Sequence, residues 1–118
     1  MQRLATRQSR AANAQEKAHM AWIKERCICA ACGVKAHVIC HHCEGATFKI
    51  KVMGVTILIG HAFVIGLCSC CDALVTNQGR KQFREVYGLQ SDLWLTQYEE
   101  SPIRFDSDIE TGIMICGR

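Results

Sequence analysis

The opening residues, MQRLATRQSRAANAQ, lack the apolar stretch of about 7 to 15 residues that a secretory signal carries, which predicts a protein of a reducing cytosol. A long hydrophobic run is also missing. The best candidate, VMGVTILIGHAFVIGL, is shorter than the about 20 residues needed to cross a bilayer and is interrupted by His61 and three glycines, so no membrane span is expected. Internal repeats and low-complexity tracts are absent, which argues against a solenoid or a disordered chain. Neither glycine nor proline occurs in residues 1–26, a stretch rich in Ala, Gln, Lys and Arg that therefore favours helix.

What remains is a chain of 118 residues, 49% apolar and 21% charged, long enough for one domain with a modest core. The charge is divided unevenly. Residues 1–51 carry nine Lys or Arg against three acids, and residues 52–118 five against eight, so a basic front half faces a polyanion partner more readily than the rest. Arg3, Arg7, Arg10 and Lys17 recur at helical spacing, which suits either a solvated face or an arm touching phosphates. The expected organisation is a basic helix or arm over 1–26, a domain over 27–100 and a tail over 101–118.

Cysteine is abundant: nine residues, an odd number that cannot all pair within one molecule. In a reducing compartment such clusters more often bind metal. Three C-x2-C pairs are present: Cys29 with Cys32, Cys40 with Cys43, and Cys68 with Cys71. The spacing lets two thiolates approach one tetrahedral ion from a tight turn, and two such pairs complete a structural zinc site. The middle pair can in principle join either of the others. It lies, however, on KAHVICHHC, which reads as a strand, where a separation of three puts side chains on opposite faces. The preferred zinc ligands are therefore Cys29, Cys32, Cys68 and Cys71, with Cys27 and Cys70 as substitutes. The same alternation sends His41 and His42 to opposite faces and predicts different roles for them.

Beyond the strand, TFKIKVMGVTILIGHAFVIGLC reads as further strands broken at Gly54 and Gly60, with a hairpin returning to Cys68. Lys49 and Lys51 share one face of an edge segment. RKQFREVYG predicts a short helix ending at Gly88, and Ser91 is placed to cap another through DLWLTQYEE, stopped by Pro102. Phe83, Val86, Tyr87, Leu93, Trp94 and Tyr98 are expected on core faces. Cys116 is expected to be a spare thiol.

The order of CAAC, CHHCEG, GHAFVIGLCSCCD and GRKQFREVYG resembles the HNH (ββα-metal) nucleases, and more closely the phage recombination-enhancement proteins of the Ref type, described as RecA-dependent nucleases. The resemblance covers roughly residues 27–100. It implies an α+β fold: a small zinc-stabilised ββα-metal domain with flanking helices. It further implies a metal-dependent DNA endonuclease acting in the host cytoplasm on single-stranded or branched DNA, with a recombinase filament as a further partner. In that pattern His41 resembles a ligand of a catalytic Mg2+ or Mn2+, His42 the base that activates water, His61 the middle position that steadies the base, and Asp72 the metal ligand opening the helix. Lys49, Lys51, Arg80, Lys81 and Arg84 then become candidate phosphate contacts, although each can equally solvate its face. Two departures stand out. A third histidine ligand is missing, with Asn77 the substitute, and GLC at 66–68 replaces a common PLC, read as a turn detail.

Each role has a blander counterpart. His61 on an apolar strand can be a hydrogen-bonded core residue, and one of His41 and His42 can replace a cysteine at zinc. A catalytically inactive zinc-binding phage module for DNA or protein is the rival function. A thiol enzyme using Cys40 or Cys43 is a third.

Overall fold

The computed structural model describes residues 13–43, 49–52 and 54–116, with backbone alone over 49–52, 55–58 and at 116. Among the described residues, four helices and four short strands follow one another: α1 (Ala14–Arg26), β1 (Ile39–His42), β2 (Lys49–Val52), β3 (Val55–Leu58), β4 (Val64–Leu67), α2 (Ser69–Tyr87), α3 (Gln90–Glu100) and α4 (Ser107–Cys116). The class is α+β, as expected.

The first helix begins where side chains replace missing backbone partners. Asn13 accepts from the Glu16 amide and Glu16 returns the bond to the Asn13 amide, a capping box. The helix ends at Cys27, whose left-handed φ of 55° stops the ladder, with Lys24 and Arg26 in the last turn where the helix dipole favours positive charge. Glu16, His19 and Ile23 form its buried stripe, so residues 13–26 are packed and not a free arm. Lys17 is exposed; Arg3, Arg7 and Arg10 lie outside the described residues.

The expected return strand exists as β4, which pairs antiparallel with β1 in the register Cys40 to Gly66, His41 to Ile65 and His42 to Val64. A separate hairpin, β2 with β3, turns at Gly54 (φ 82°) and sits between them in sequence. Every residue of β4 is buried. Its outer edge is covered by α3, whose Gln97 accepts from the Gly66 amide at 3.0 Å and donates to the Val64 carbonyl at 3.3 Å. A buried amide side chain thus supplies what a third strand would have supplied. Trp94 adds a bond from its indole N–H to the Ala62 carbonyl at 3.0 Å. Gly66 is therefore no turn detail: it lies within β4 under Ile23, and a proline there would forfeit the bond to Gln97.

Other boundaries moved. RKQFREVY is only the second part of α2, which starts at Ser69 and is broken at Gly79 (φ 93°, ψ 169°) before ending at Gly88. The N-cap of α3 is Leu89, not Ser91; no side chain caps it, and Ser91 is buried one residue inside the helix with its hydroxyl unbonded. Packing of Trp94, Gln97 and Tyr98 sets this start in place of a cap. Phe83, Trp94 and Tyr98 are core residues as expected, whereas Val86 is 53% exposed. Residues 101–118 are not all tail. Phe105 and Ile113 are buried, α4 packs on the β2–β3 hairpin, and the Tyr98 hydroxyl donates to Glu110 at 2.6 Å. The Cys116 side chain lies outside the described part. No described helix is long and apolar enough to cross a membrane.

Candidate metal centre and histidine cluster

Two cysteine turns approach each other from different elements. In the first, Cys29 donates its amide to the Val34 carbonyl at 3.0 Å and Gly33, at φ 79°, returns an amide to the Cys29 carbonyl at 3.0 Å. Isolated pairing of Ile28 with Lys35 closes this knuckle. The second pair opens α2, with Cys68 as N-cap and Cys71 in the first turn. A bond from the Ala30 amide to the Gly66 carbonyl at 2.8 Å fastens the first turn beside the second.

The result is a single group: the sulfurs of Cys29, Cys32, Cys68 and Cys71 lie within 4.8 Å of one another. Cys32 and Cys68 are 3.8 Å apart. Four thiolates at the usual 2.3 Å from a tetrahedral zinc are about 3.8 Å apart, so the donor set and spacing fit that ion. The thiols of the group differ in how readily they ionise. Burial raises the Cys29 thiol, but the amides of Cys32, Cys68 and Ala31 outweigh it and bring the pKa down to about 7. Burial pushes Cys71 up to about 12, with Cys68 and Cys29 adding to the rise and the Tyr87 hydroxyl, 3.6 Å away, opposing it. A divalent cation among these sulfurs removes the penalty on a second and third thiolate.

Neither substitute ligand joins the group. Cys27 donates to the Lys24 carbonyl at 3.0 Å, and Cys70 is exposed. The middle pair is also elsewhere. Cys40 sits 3.8 Å from the Met20 carbonyl, where burial raises its pKa and makes it a poor nucleophile, and Cys43 is fully buried.

The histidines leave the end of β1 on opposite sides, as strand alternation requires. His41 Nδ1 is 3.5 Å from Asp72 Oδ1, and Asp72 directly follows the fourth cysteine in the first turn of α2. His42 Nε2 is 3.0 Å from His61 Nδ1, with the rings at 75°. No histidine shares the sulfur group. Burial lowers the pKa of His42, and positive charge at His61 or His41 would lower it further, while Glu16 acts the other way.

Glu16 was not among the candidates. It is 1% exposed and accepts from the His61 amide at 2.9 Å through Oε2. The Asn13-x-x-Glu16 spacing signals a capping box, but nothing in the sequence connects it to residue 61. Asn77 is exposed on α2, and a five-residue offset places it about 140° round the helix from Asp72, so it does not complete that pair. Arg80, Lys81 and Arg84 are exposed on the part of α2 after Gly79. Lys49 and Lys51 occupy alternate positions of β2, so they share a face; their side chains lie outside the described part. A groove of about 480 Å3 between α3 and α4 is lined by Trp94, Tyr98, Met114 and others, none of them in the centres above.

Comparison of the chain with protein-family models, with curated proteins and with solved structures gave no match, so the cysteine group and the histidine pairs stand on their geometry alone.

Proposed function

We propose that the chain is a metal-dependent DNA endonuclease of the HNH type, held together by one structural zinc at Cys29, Cys32, Cys68 and Cys71. The observation that carries this reading is the juxtaposition of two polar pairs at the end of β1, His41 with Asp72 and His42 with His61. Their succession, a strand pair followed by a helix that carries Asp72 in its first turn, is the order that the ββα-metal resemblance implies.

His41 and Asp72 offer one nitrogen and one carboxylate oxygen, a donor set that suits a hard Mg2+ or Mn2+. Their 3.5 Å separation is a little wider than the about 3 Å between neighbouring ligands of Mg2+. Such an ion supplies charge neutralisation at a scissile phosphate. His42 does the proton work. Burial disfavours the protonated ring, and in the tautomer that donates Nε2–H to His61 the lone pair on Nδ1 is left to take a proton from water. Once protonated, the ring still donates to His61 Nδ1, so the partner that orients the base also stabilises its cation. Arg80, Lys81 and Arg84, with Lys49 and Lys51, would contact DNA phosphates without reading sequence. Single-stranded or branched DNA, a recombinase filament and a phage-infected host cytoplasm come to the reading from the resemblance alone.

A second reading has one observation in its favour: among the described residues only two ligands, His41 and Asp72, come together for the hard ion. The scaffold would then be an inactive zinc-stabilised DNA- or protein-binding module. Incubation of supercoiled plasmid and of single-stranded DNA with Mg2+ or Mn2+, with and without recombinase filaments, separates the two. Cleavage should fall by about 100-fold or more in His42→Ala. Equal results for wild type and variant under every condition would reject the nuclease, and retained DNA binding without cleavage would select the module.

A further inference from the structure

We infer that Glu16 is a positioning residue for the His42–His61 pair, anchoring the backbone of His61 so that its ring stays within hydrogen-bond reach of His42. The consequence for cleavage rests on the nuclease reading above; the anchor itself does not.

A carboxylate at 1% exposure persists only where donors replace its water, and both oxygens of Glu16 have one. Oε1 accepts from the Asn13 amide at 2.9 Å and Oε2 from the His61 amide at 2.9 Å. The first bond is local. The second reaches across 45 positions of sequence to the loop between β3 and β4. An ordinary capping box sits in solvent, and burial of this one is explained by its second task.

The loop bends at Gly60 (φ 61°); after His61 the Ala62 carbonyl is held by the Trp94 indole at 3.0 Å and the Phe63 carbonyl by the Cys43 amide at 2.9 Å, and at His61 itself the amide is held by the Glu16 carboxylate. His61 is outside both strands: the pairing of β1 and β4 runs on from Val64 to the Phe63 carbonyl, which accepts from the Cys43 amide, and stops two residues short of His61. Glu16 is itself fixed by its burial on α1 and by the bond its Oε1 accepts from the Asn13 backbone amide at 2.9 Å, a bond that does not depend on the Asn13 side chain. The restraint therefore runs from the buried Glu16 carboxylate to the His61 backbone, and from the His61 ring to His42 Nε2. Positional error at a catalytic base is costly, since displacement of about 1 Å can lower turnover by about two orders of magnitude.

The test uses the zinc-loaded full chain and compares Glu16→Ala with Asn13→Ala, which weakens the cap but leaves the carboxylate free to reach His61. Amide hydrogen exchange at His61 should rise about tenfold in Glu16→Ala and stay near wild type in Asn13→Ala. With DNA as substrate, kcat should fall about tenfold or more in Glu16→Ala with KM unchanged, and remain near wild type in Asn13→Ala. Unchanged His61 exchange in Glu16→Ala overturns the anchor whatever the cleavage shows. Equal loss of kcat in both variants reduces Glu16 to a helix cap and also overturns it. Absence of cleavage by wild type removes the nuclease reading, and the exchange measurement then decides the anchor by itself. If Glu16→Ala does not fold, Glu16→Met keeps the length and much of the volume and offers the His61 amide no oxygen acceptor, and the same measurements apply.

Discussion

His19 is fully buried between Trp22, Tyr98 and Phe105, bonded through Nδ1 to the Ser101 hydroxyl at 3.2 Å, with Nε2 unbonded. Burial, aided by the Arg104 charge, lowers its pKa to about 4. In the unfolded chain the value is about 6.5, so between these limits the unfolded state binds more protons and stability rises with pH. The contribution is complete above about pH 6.5 and is lost as pH falls toward 4, a loss on the order of 2 to 3 kcal/mol. Urea midpoints measured from pH 7.5 to 4 for wild type and His19→Gln should converge on acidification, because zinc release affects both alike; parallel curves would remove His19 from the account. At this scale the histidine pair shows what a sequence can carry. Strand alternation separates His41 from His42, and the structure gives them different partners. The bond from the His61 amide to Glu16 is not legible in the sequence because it joins two local patterns that have no common period.

Among the elements, β4 is the most constrained, closed by β1 on one edge and by Gln97 on the other. A Cβ added at Gly66 would lie 2.6 Å from Ile23 Cγ2 and 3.3 Å from Val38 Cγ2. Gly66→Ala should therefore push α1 away from the strand and cost about 1 to 3 kcal/mol, read as a fall in thermal midpoint at constant zinc content. Gln97→Leu should also destabilise, by about 1 to 3 kcal/mol for each buried backbone group left unpaired, whereas a solvated Gln would show almost no effect. Strand positions were legible because apolar runs between glycines leave few alternatives. Helix limits were less so. The C-caps at Gly88 and before Pro102 are local chemistry and fell where expected, but the starts of α2 and α3 depend on cysteines gathered in a group that could hold a metal and on buried aromatics. Those are tertiary causes, and Ser91 misled because a good capping residue was used as a small buried one.

For the molecule as a whole, the cysteine group connects the turn before β1 to the helix after β4, enclosing both sheets in one loop. A structural zinc contributes on the order of 10 kcal/mol of apparent folding free energy. Metal analysis should give one zinc per chain, retained in His41→Ala/His42→Ala, and a strong chelator or Cys71→Ser should abolish the cooperative thermal transition. Loss of zinc in the double histidine variant would contradict the separation of the two centres. The cysteine spacing made this centre readable, because C-x2-C restricts where two sulfurs can go. The role of the C-terminal segment was not readable, since Phe105 and Ile113 are isolated apolar residues whose burial depends on α3 and the β2–β3 hairpin. One asymmetry has a chemical outcome of its own. Three of the four sulfurs are buried and Cys32 is exposed. Electrophiles and peroxides therefore have one entrance to the sulfur group, and damage by alkylation or oxidation should begin at that sulfur and, with zinc bound, proceed to release of the ion and collapse of the chain.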